Sequence, residues 1–583
     1  MSYHGHADDT PKAKGRRGAG EDASERPGIV ETERQIRSHR MMAPVSRRGF
    51  LAGAGMLALG LVATGSLAAC GGTGETGAAT ADSSKKVLRF AQANMKMTLD
   101  EHVTNDANSY TLGDLVGESP CMWTEDNEEV PCFLTKMPEV SADGLTYTLT
   151  LKDSIPCHDG SKLTANDVKF SINRMLWPET KYKSLPMINM IEGAKDVIAG
   201  TTRDCTGVTV VDDTHVTIKL TQPYAPFTGI MGTSFFVIYP QSAVEAAGDQ
   251  WGKGTNLIGS GPFKLTSNDD ASALVFERFE DYHGTPAKID ELDIAYIDDN
   301  NTKMLNYVNG DLDLCDVAPA LLKQYMNDDK VKDQLHEYNP MASYFIDYNL
   351  SKDNLKDVRV RQAISLAINR QELVDTVLSG AGEAASEYLS PKFPAHDPSL
   401  PVLAYDPEQA KSLLAQAGVA SGLTIECGVK ASEKDVAVAI QGYLEKVGIT
   451  LNVETLDSGV YSDRWRQGEL ETTILSWNSR FPDGELALAT FFQSDIAKNV
   501  GSFYNSPQFD ALLAQARAEQ DADKRNDLYR QADHLLCLED WACCPLYYPK
   551  RYFAEKPYVT GMKIGATLFH FRDVDIDMSK KDA

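Results

Sequence analysis

Between Asp357 and Tyr548 the sequence switches repeatedly between two hydrophobic periods, and that alternation limits the fold more than any other feature. Asp357-Val-Arg-Val-Arg-Gln-Ala-Ile-Ser-Leu-Ala-Ile368 opens on a capping Asp and places Ile364, Ala367 and Ile368 on one side, so it predicts a helix with one buried face. Asn369 to Glu372 recaps a second helix. Asp406-Pro407-Glu-Gln409 starts a third, with Ala410, Leu413, Leu414 and Ala417 as its stripe and Gly418 as its stop. Ser506-Pro507 starts a fourth over Leu512 and Leu513, and Leu528, Ala532, Leu535 and Leu536 mark a fifth. Short apolar runs, Thr473 to Leu475 and Cys544 to Tyr548, lie between or after them and predict buried strands. The region 115–237 reads differently. Leu145 to Leu151 alternates strictly, and Val208 to Leu220 is a hairpin turning at Asp212-Asp213. The chain is therefore a mixed α/β protein of several subdomains. At 583 residues it is also too long for one ordinary core.

The first 70 residues read as an export leader. Ser46-Arg47-Arg48-Gly49-Phe50-Leu51 is a twin-arginine signal before a weakly apolar, glycine-interrupted run. That run, Leu51 to Ala69, is also at the short end of what a retained membrane span needs. It closes on Leu67-Ala68-Ala69-Cys70, which resembles the lipobox of bacterial lipoproteins, with Cys70 as the lipidation site. The implied location is the cell membrane, lipid-anchored, on the extracellular or periplasmic side. Residues 71–86 read as a flexible tether. Net charge is −26 for the whole chain, and beyond residue 70 it is −29, with 47 basic against 76 acidic side chains. Such a surface repels a polyanion, so no nucleic-acid partner is expected. Nine cysteines remain after Cys70, an odd number. Cys121 and Cys132 flank a turn and are the pair suited to bridge a hairpin, and none of the nine has zinc spacing. No cofactor or metal is called for.

Gly468 to Gly484 concentrates the polar and aromatic groups suited to a binding site. The apolar run ends in Ser476-Trp477-Asn478-Ser479-Arg480-Phe481, Pro482 breaks the strand, and Asp483 is placed to cap the helix pattern after it. A strand end in an α/β chain is a favoured ligand position, with an aromatic for stacking and a charge for selection. Two other features invite chemistry and decline it. Ile258-Gly-Ser-Gly-Pro-Phe263 is glycine-rich, but strand-like residues come next, so it is a turn and not a phosphate loop. His158 beside Asp159 lacks any nearby nucleophile and reads as a turn.

Five spaced motifs carry a resemblance. They are Gly144-Leu-Thr-Tyr-Thr-Leu with His158-Asp-Gly-Ser-Lys-Leu-Thr-Ala-Asn-Asp-Val, Gly259-Ser-Gly-Pro-Phe-Lys264, the Asp357 helix, Tyr405-Asp-Pro-Glu-Gln-Ala-Lys and Pro545-Leu-Tyr-Tyr-Pro549. In this order they resemble the family 5 extracellular solute-binding proteins, the oligopeptide, dipeptide and nickel receptors of ABC importers. The resemblance runs from about Val87 to the C-terminus. It implies a two-lobe clamshell with an extra inserted domain, closing over its ligand without covalent chemistry. The first lobe would comprise 87–113, 237–338 and 544–583, the inserted domain 114–236, and the second lobe 339–543.

In peptide-binding members the segment after the Trp reads Trp-x-x-Asp-Tyr, and the Asp pairs with the peptide amine. Here Arg480 stands in that place, which favours an anionic group on the ligand unless Asp483 or Asp106 takes the amine. Position adds Asn105, Asp106, Asn108 and Tyr110 on a first-lobe loop, and Tyr461, Arg464 and Trp465 ahead of Gly468. With Trp477, Asn478, Ser479, Arg480 and Asp483 these form the candidate ligand set, although Trp465 and Arg464 also suit plain packing. The implied role is a monomeric, lipid-anchored receptor that hands a peptide or peptide-like solute to ABC permease subunits. The alternative ligand is a non-peptide anionic solute or a metal chelate. The eight histidines after Cys70 show no clustering for a bare nickel ion. An exported hydrolase would need a nucleophile elbow, a placed S-x-x-K or H-E-x-x-H. The sequence has no nucleophile elbow or H-E-x-x-H, and its S-x-x-K match, Ser83 to Lys86, falls in the tether. An enzyme is therefore not expected.

Overall fold

Three sheets of four or more strands organise the chain from Val87 onward, and each collects strands distant in sequence. The computed structural model describes residues 85–94, 98–103, 114–182, 185–269, 271–419, 422–479, 481–564 and 569–581. These belong to one compact unit beginning at Ala81. The seven-stranded sheet runs Leu335–Tyr338, Arg551–Glu555, Leu314–Val317, Val87–Gln92, Glu291–Tyr296, Ala273–Arg278, Phe263–Asp269. Val87–Gln92 pairs in parallel with both neighbours. The helix Asn300–Asn309, capped by the Asp299 carboxylate on Thr302 N, lies between two of these strands in the chain, as a parallel connection requires.

The six-stranded sheet runs Gly382–Ala384, Cys543–Pro549, Ala342–Tyr348, Thr472–Asn478, Leu423–Val429, Ile449–Thr455. One of its two parallel pairs, Leu423–Val429 with Ile449–Thr455, is again linked through a helix, Lys434–Glu445. The caps read from the sequence form as expected. Asp357 accepts from Arg359 N, Asn369 from Glu372 N, Asp406 from Gln409 N and Ser506 from Phe509 N. The arginines of the Asp357 motif are structural ties. Arg361 donates to the carbonyls of Leu355, Lys356, Asp540 and Trp541, and Arg370 to those of Ser365 and Pro545.

The chain crosses between these two sheets twice, at 339–341 and at Lys550. The strand Cys543–Pro549 pairs with Ala342–Tyr348, so 544–549 sit in the second sheet and only the chain beyond Lys550 returns to the first. A β-strand cannot leave its ladder without giving up its hydrogen bonds, which puts the crossing at the strand's end and not at its start.

The third sheet, Glu139–Val140, Thr146–Thr150, His215–Lys219, Val208–Asp212, belongs to the region 114–236 and is antiparallel throughout. The helix Ala165–Leu176 joins it, its start secured where Thr164 N and Oγ1 donate to Asp167 Oδ2. This inserted domain has its own core around Tyr147, Leu149, Ile172 and Phe227.

Two sequence motifs meet where the inserted domain joins the seven-stranded lobe. His158 N donates to Gly259 O at 3.0 Å and the His158 ring lies 2.9 Å from Gly261 O. Burial first of all holds that imidazole down to about 4, so it is neutral. A Cβ on Gly259 would stand 2.0 Å from Val116 O, which is why the turn needs glycine. The nine described cysteines are free and buried. Cys121 does not bridge to Cys132, because Cys121 faces Pro131 across the hairpin. The Cys132 thiol instead donates to Glu118, and successive residues of a strand point to opposite sides. Among the described residues no helix is long and apolar enough to cross a membrane.

Candidate ligand-binding site

The strand Thr472–Asn478 lies in the second sheet with its last residue opposite Ala342, the first of the strand entered after the 339–341 crossing. Its C-terminal end is therefore at the hinge. Apolar β-prone residues bury its start and middle, with Thr473, Ile474 and Leu475 all shielded. At the end the pattern turns polar. Trp477 is half-buried, its ring edge-on to Phe491 at 5.2 Å between centroids. Its Nε1 is buried and has no hydrogen-bond partner among the described residues. Asn478 Oδ1 is in the same state. A buried donor or acceptor left unsatisfied costs about 1–3 kcal/mol unless a ligand or water completes it. Ser479 closes the strand, with its N donating to Met341 O and its Oγ to Phe481 O.

Phe481 then leaves its own lobe. It is 1% exposed and packs in the core of the inserted domain, its ring stacked on Trp123 at 6.0 Å and 17°. Asp483 turns back. It accepts from Glu485 N at 2.9 Å as the cap of Gly484–Phe492, and Oδ2 takes Arg525 Nε at 3.2 Å. The carboxylate is thus already engaged by a cap and an ion pair.

Beside it stands Glu129, which sequence reasoning passed over. It sits opposite Trp123 in the hairpin Cys121–Trp123 with Glu129–Pro131. Burial raises its carboxyl to about 7, Thr228 and Arg525 pull the other way, and Asp483 adds to the rise. Its Oε1 is buried without a hydrogen-bond partner among the described residues. The only signal in the sequence is an acid at a strand position facing an aromatic residue.

The other second-lobe candidates lie at the opposite end of the same strand. Tyr461 is buried with its hydroxyl 2.9 Å from Thr473 Oγ1, and Trp465 Nε1 donates to Asp347 Oδ2 at 3.1 Å. Thr473 is four residues before Trp477, about 13 Å along a strand. Arg464 pairs with Glu454 at 2.8 Å and Glu469 at 3.4 Å. The structure therefore keeps Trp477, Asn478 and Ser479 at the hinge end of the strand and Tyr461 and Arg464 toward its start. Trp465 packs on the same Phe491 ring as Trp477, at 6.1 Å between centroids, and Asp483 is held by its cap and its ion pair. Asn105, Asp106, Asn108, Tyr110, Arg480 and Cys70 lie outside the described residues. Among the described residues no three His, Cys, Asp or Glu side chains could hold a metal ion.

Two mixed sheets joined by two crossings, with a third domain inserted in the first lobe and a polar strand end at the hinge, can be compared with known proteins. The model of the bacterial extracellular solute-binding proteins, family 5, matches residues 128–499. The chain belongs to this family. The Escherichia coli dipeptide-binding protein is 30% identical over 454 residues, covering 74% of this chain and 82% of that protein. Heme-binding protein A of Haemophilus influenzae is 29% identical over 415 residues, covering 68% and 74%. Among solved structures, the periplasmic binding protein DppA of Helicobacter pylori, in complex with the peptide STSA, superposes with a TM-score of 0.71 at 23% identity. It covers 84% of this chain and 98% of that one. The fold is accordingly the multi-domain clamshell of ABC-importer binding proteins, and the family consists of binding proteins and not enzymes.

Proposed function

We propose that the chain is the solute-capturing receptor of an ABC importer, that it takes peptides or peptide-like solutes, and that Cys70 tethers it to the membrane outside the cell. The observation that carries the ligand site is the pair of unsatisfied groups, Trp477 Nε1 and Asn478 Oδ1, at the hinge end of a buried strand. Successive strand residues face opposite sides, so the donor and the acceptor each offer one hydrogen bond to a polar backbone group of a solute lying at the strand end. The aromatic face of Trp477 adds area for an apolar side chain. Lobe closure would then exclude water and strengthen both bonds. The relatives support this reading, since proteins named for dipeptides are among them. The N-terminal sequence, with Arg47-Arg48 and the Leu-Ala-Ala-Cys70 end, supports export and lipidation.

A second reading has its own observation. A relative of similar identity is named for heme, and Arg480 replaces the acid that peptide binders of the family use. Both favour an anionic, largely apolar solute. Native mass spectrometry of the protein purified from its own host, on wild type and on Arg480→Asp, separates the two. A ladder of short-peptide masses retained by both proteins supports the peptide reading. A single acidic non-peptide mass, lost from the variant, overturns it in favour of the second.

A further inference from the structure

The loop that leaves the candidate site ends in a residue buried in another domain. Phe481 comes from the second lobe, yet its neighbours are Trp123 and Gly229 of the inserted domain. Trp123 is held for the contact, its Nε1 donating to Gly229 O at 3.1 Å. The slot depends on the missing side chain of Gly229: a Cβ there would stand 3.0 Å from Phe481 Cδ2 and 3.2 Å from Trp123 Cζ2. Leu486 of the second lobe packs on the same core. One backbone bond also crosses, Ala225 N to Arg517 O at 2.7 Å. No covalent segment joins these two domains, because the inserted domain is continuous at both ends with the first lobe.

We infer that Phe481 is the latch of the closed clamshell: seated between Trp123 and Gly229, it holds the second lobe on the inserted domain and so sets how long a bound solute is retained. Phe481 is a positioning residue, acting through the loop Ser479–Asp483. Ser479 fixes one end of that loop to Met341 at the hinge, and Asp483 fixes the other to the helix Gly484–Phe492 and to Arg525. A solute that completes the Trp477 and Asn478 groups orders the strand end from which the loop starts. The latch residue follows Asn478 by three positions. Opening the cleft must pull an aromatic side chain out of an apolar slot into water, which opposes opening and slows release.

The inference rests on the receptor reading for its consequence but not for its geometry, and the test keeps the two apart. Spin labels at Val211 of the inserted domain and Val438 of the second lobe, both strongly exposed, report lobe separation in the full chain. Labelling the chain without these introduced sites gives the background from native thiols. Wild type should show a short distance. Phe481→Ala should add a longer population, and Gly229→Val, which fills the slot from the other side, should do the same with Phe481 intact. A library of di- to pentapeptides should dissociate about tenfold faster or more from either variant, with a much smaller change in association. Unchanged distance distributions in a folded variant would overturn the latch. Failure of every peptide to bind wild type would count against the peptide reading, while the distances still decide the latch.

Discussion

The inserted domain has two joints, and they are built from different chemistry. Toward the first lobe the chain crosses twice, and the crossing segments pair at Glu118 and Ile238. The Glu118 carboxylate, buried there, accepts from Cys132 Sγ at 3.1 Å, Tyr282 OH at 2.6 Å, Ser260 Oγ at 2.8 Å and the His283 ring at 2.6 Å. Burial would raise this carboxyl, but hydrogen bonding by His283 and the nearby Arg572 charge overcome it and hold it below the usual range. Toward the second lobe there is no covalent crossing. The contact includes an aromatic ring in a slot with Leu486 beside it, a backbone bond, and a buried Glu129 with an unsatisfied oxygen. A fully satisfied polar network specifies one geometry and is expensive to break. An apolar plug beside a half-satisfied carboxyl can be released and remade. The first joint makes one body of the first lobe and the inserted domain, and the second lets the other lobe leave.

The comparison breaks most visibly at Glu118. Glu118→Ala removes the acceptor for four donors and leaves the buried His283 and Arg572 uncompensated. Breaking such a buried network costs about 3–5 kcal/mol. Thermal unfolding should show a large fall in the transition that contains the inserted domain, with little change in second-lobe unfolding. If Glu118→Ala unfolds like wild type, the first joint is not the fixed one. At the second joint, Trp123→Ala removes half of an aromatic pair worth about 0.5–1.5 kcal/mol beyond its area. It should speed solute release and leave the Glu118 transition in place, as stopped-flow and calorimetry would show together.

How much of this is legible in the sequence depends on whether the controlling contact is local. The caps at Asp357, Asp406, Ser506 and Asp483 are read correctly because a cap and the N–H groups it accepts lie within three residues. The hairpin of Val208 to Leu220 is equally local. The turn reading of His158-Asp159 holds, but the ring's real role, tying that turn to Gly261, joins two motifs far apart in the chain. Cys121 and Cys132 look like a pair by spacing, and strand register separates them. Tyr461 precedes Gly468 closely in sequence, yet it meets the strand at Thr473, about 13 Å along it from Trp477. Trp465 shares the Phe491 ring with Trp477, a contact that spacing does not show. Phe481 is visible as an aromatic next to Pro482, but its partners Trp123 and Gly229 belong to another domain. Glu129 becomes conspicuous only once burial and Asp483 are seen together.

A smaller effect concerns protons at the second joint. The groups facing Glu129 are Asp483 and Arg525 from the second lobe, with Cys121 and Tyr147 from its own domain. Closed, the Glu129 carboxyl is raised to about 7, whereas an open, solvated Glu titrates near its ordinary value of roughly 4.3. The closed state therefore binds the proton more tightly. Its contribution to closure is fully present below the ordinary value and is lost as pH rises through about 7. Measured lobe separation should lengthen as pH rises from 5 to about 7 and level off above it. Glu129→Gln should flatten the profile, and a variant that still titrates would assign the proton elsewhere, Glu485 being the neighbour that burial also raises to about 7.

The smallest change expected is at Arg464, and its smallness is informative. This guanidinium lines an open cavity of about 250 Å³ together with Glu426, Glu454, Glu469 and Glu471, and pairs with Glu454 and Glu469. A solute entering that cavity would meet a wall with four acids, so Arg464 is poorly placed to select an anion. Exposed pairs of this kind are worth about 0–1 kcal/mol. Arg464→Ala should therefore shift stability by no more than that and leave solute affinity and release unchanged, in contrast with Trp477→Ala, which removes the unpaired Nε1 at the hinge. Titration calorimetry on the two variants with one bound solute makes the comparison direct. Equal losses would place the site along the whole strand instead of at its hinge end, and the latch would then lie at one edge of the site and not at its exit.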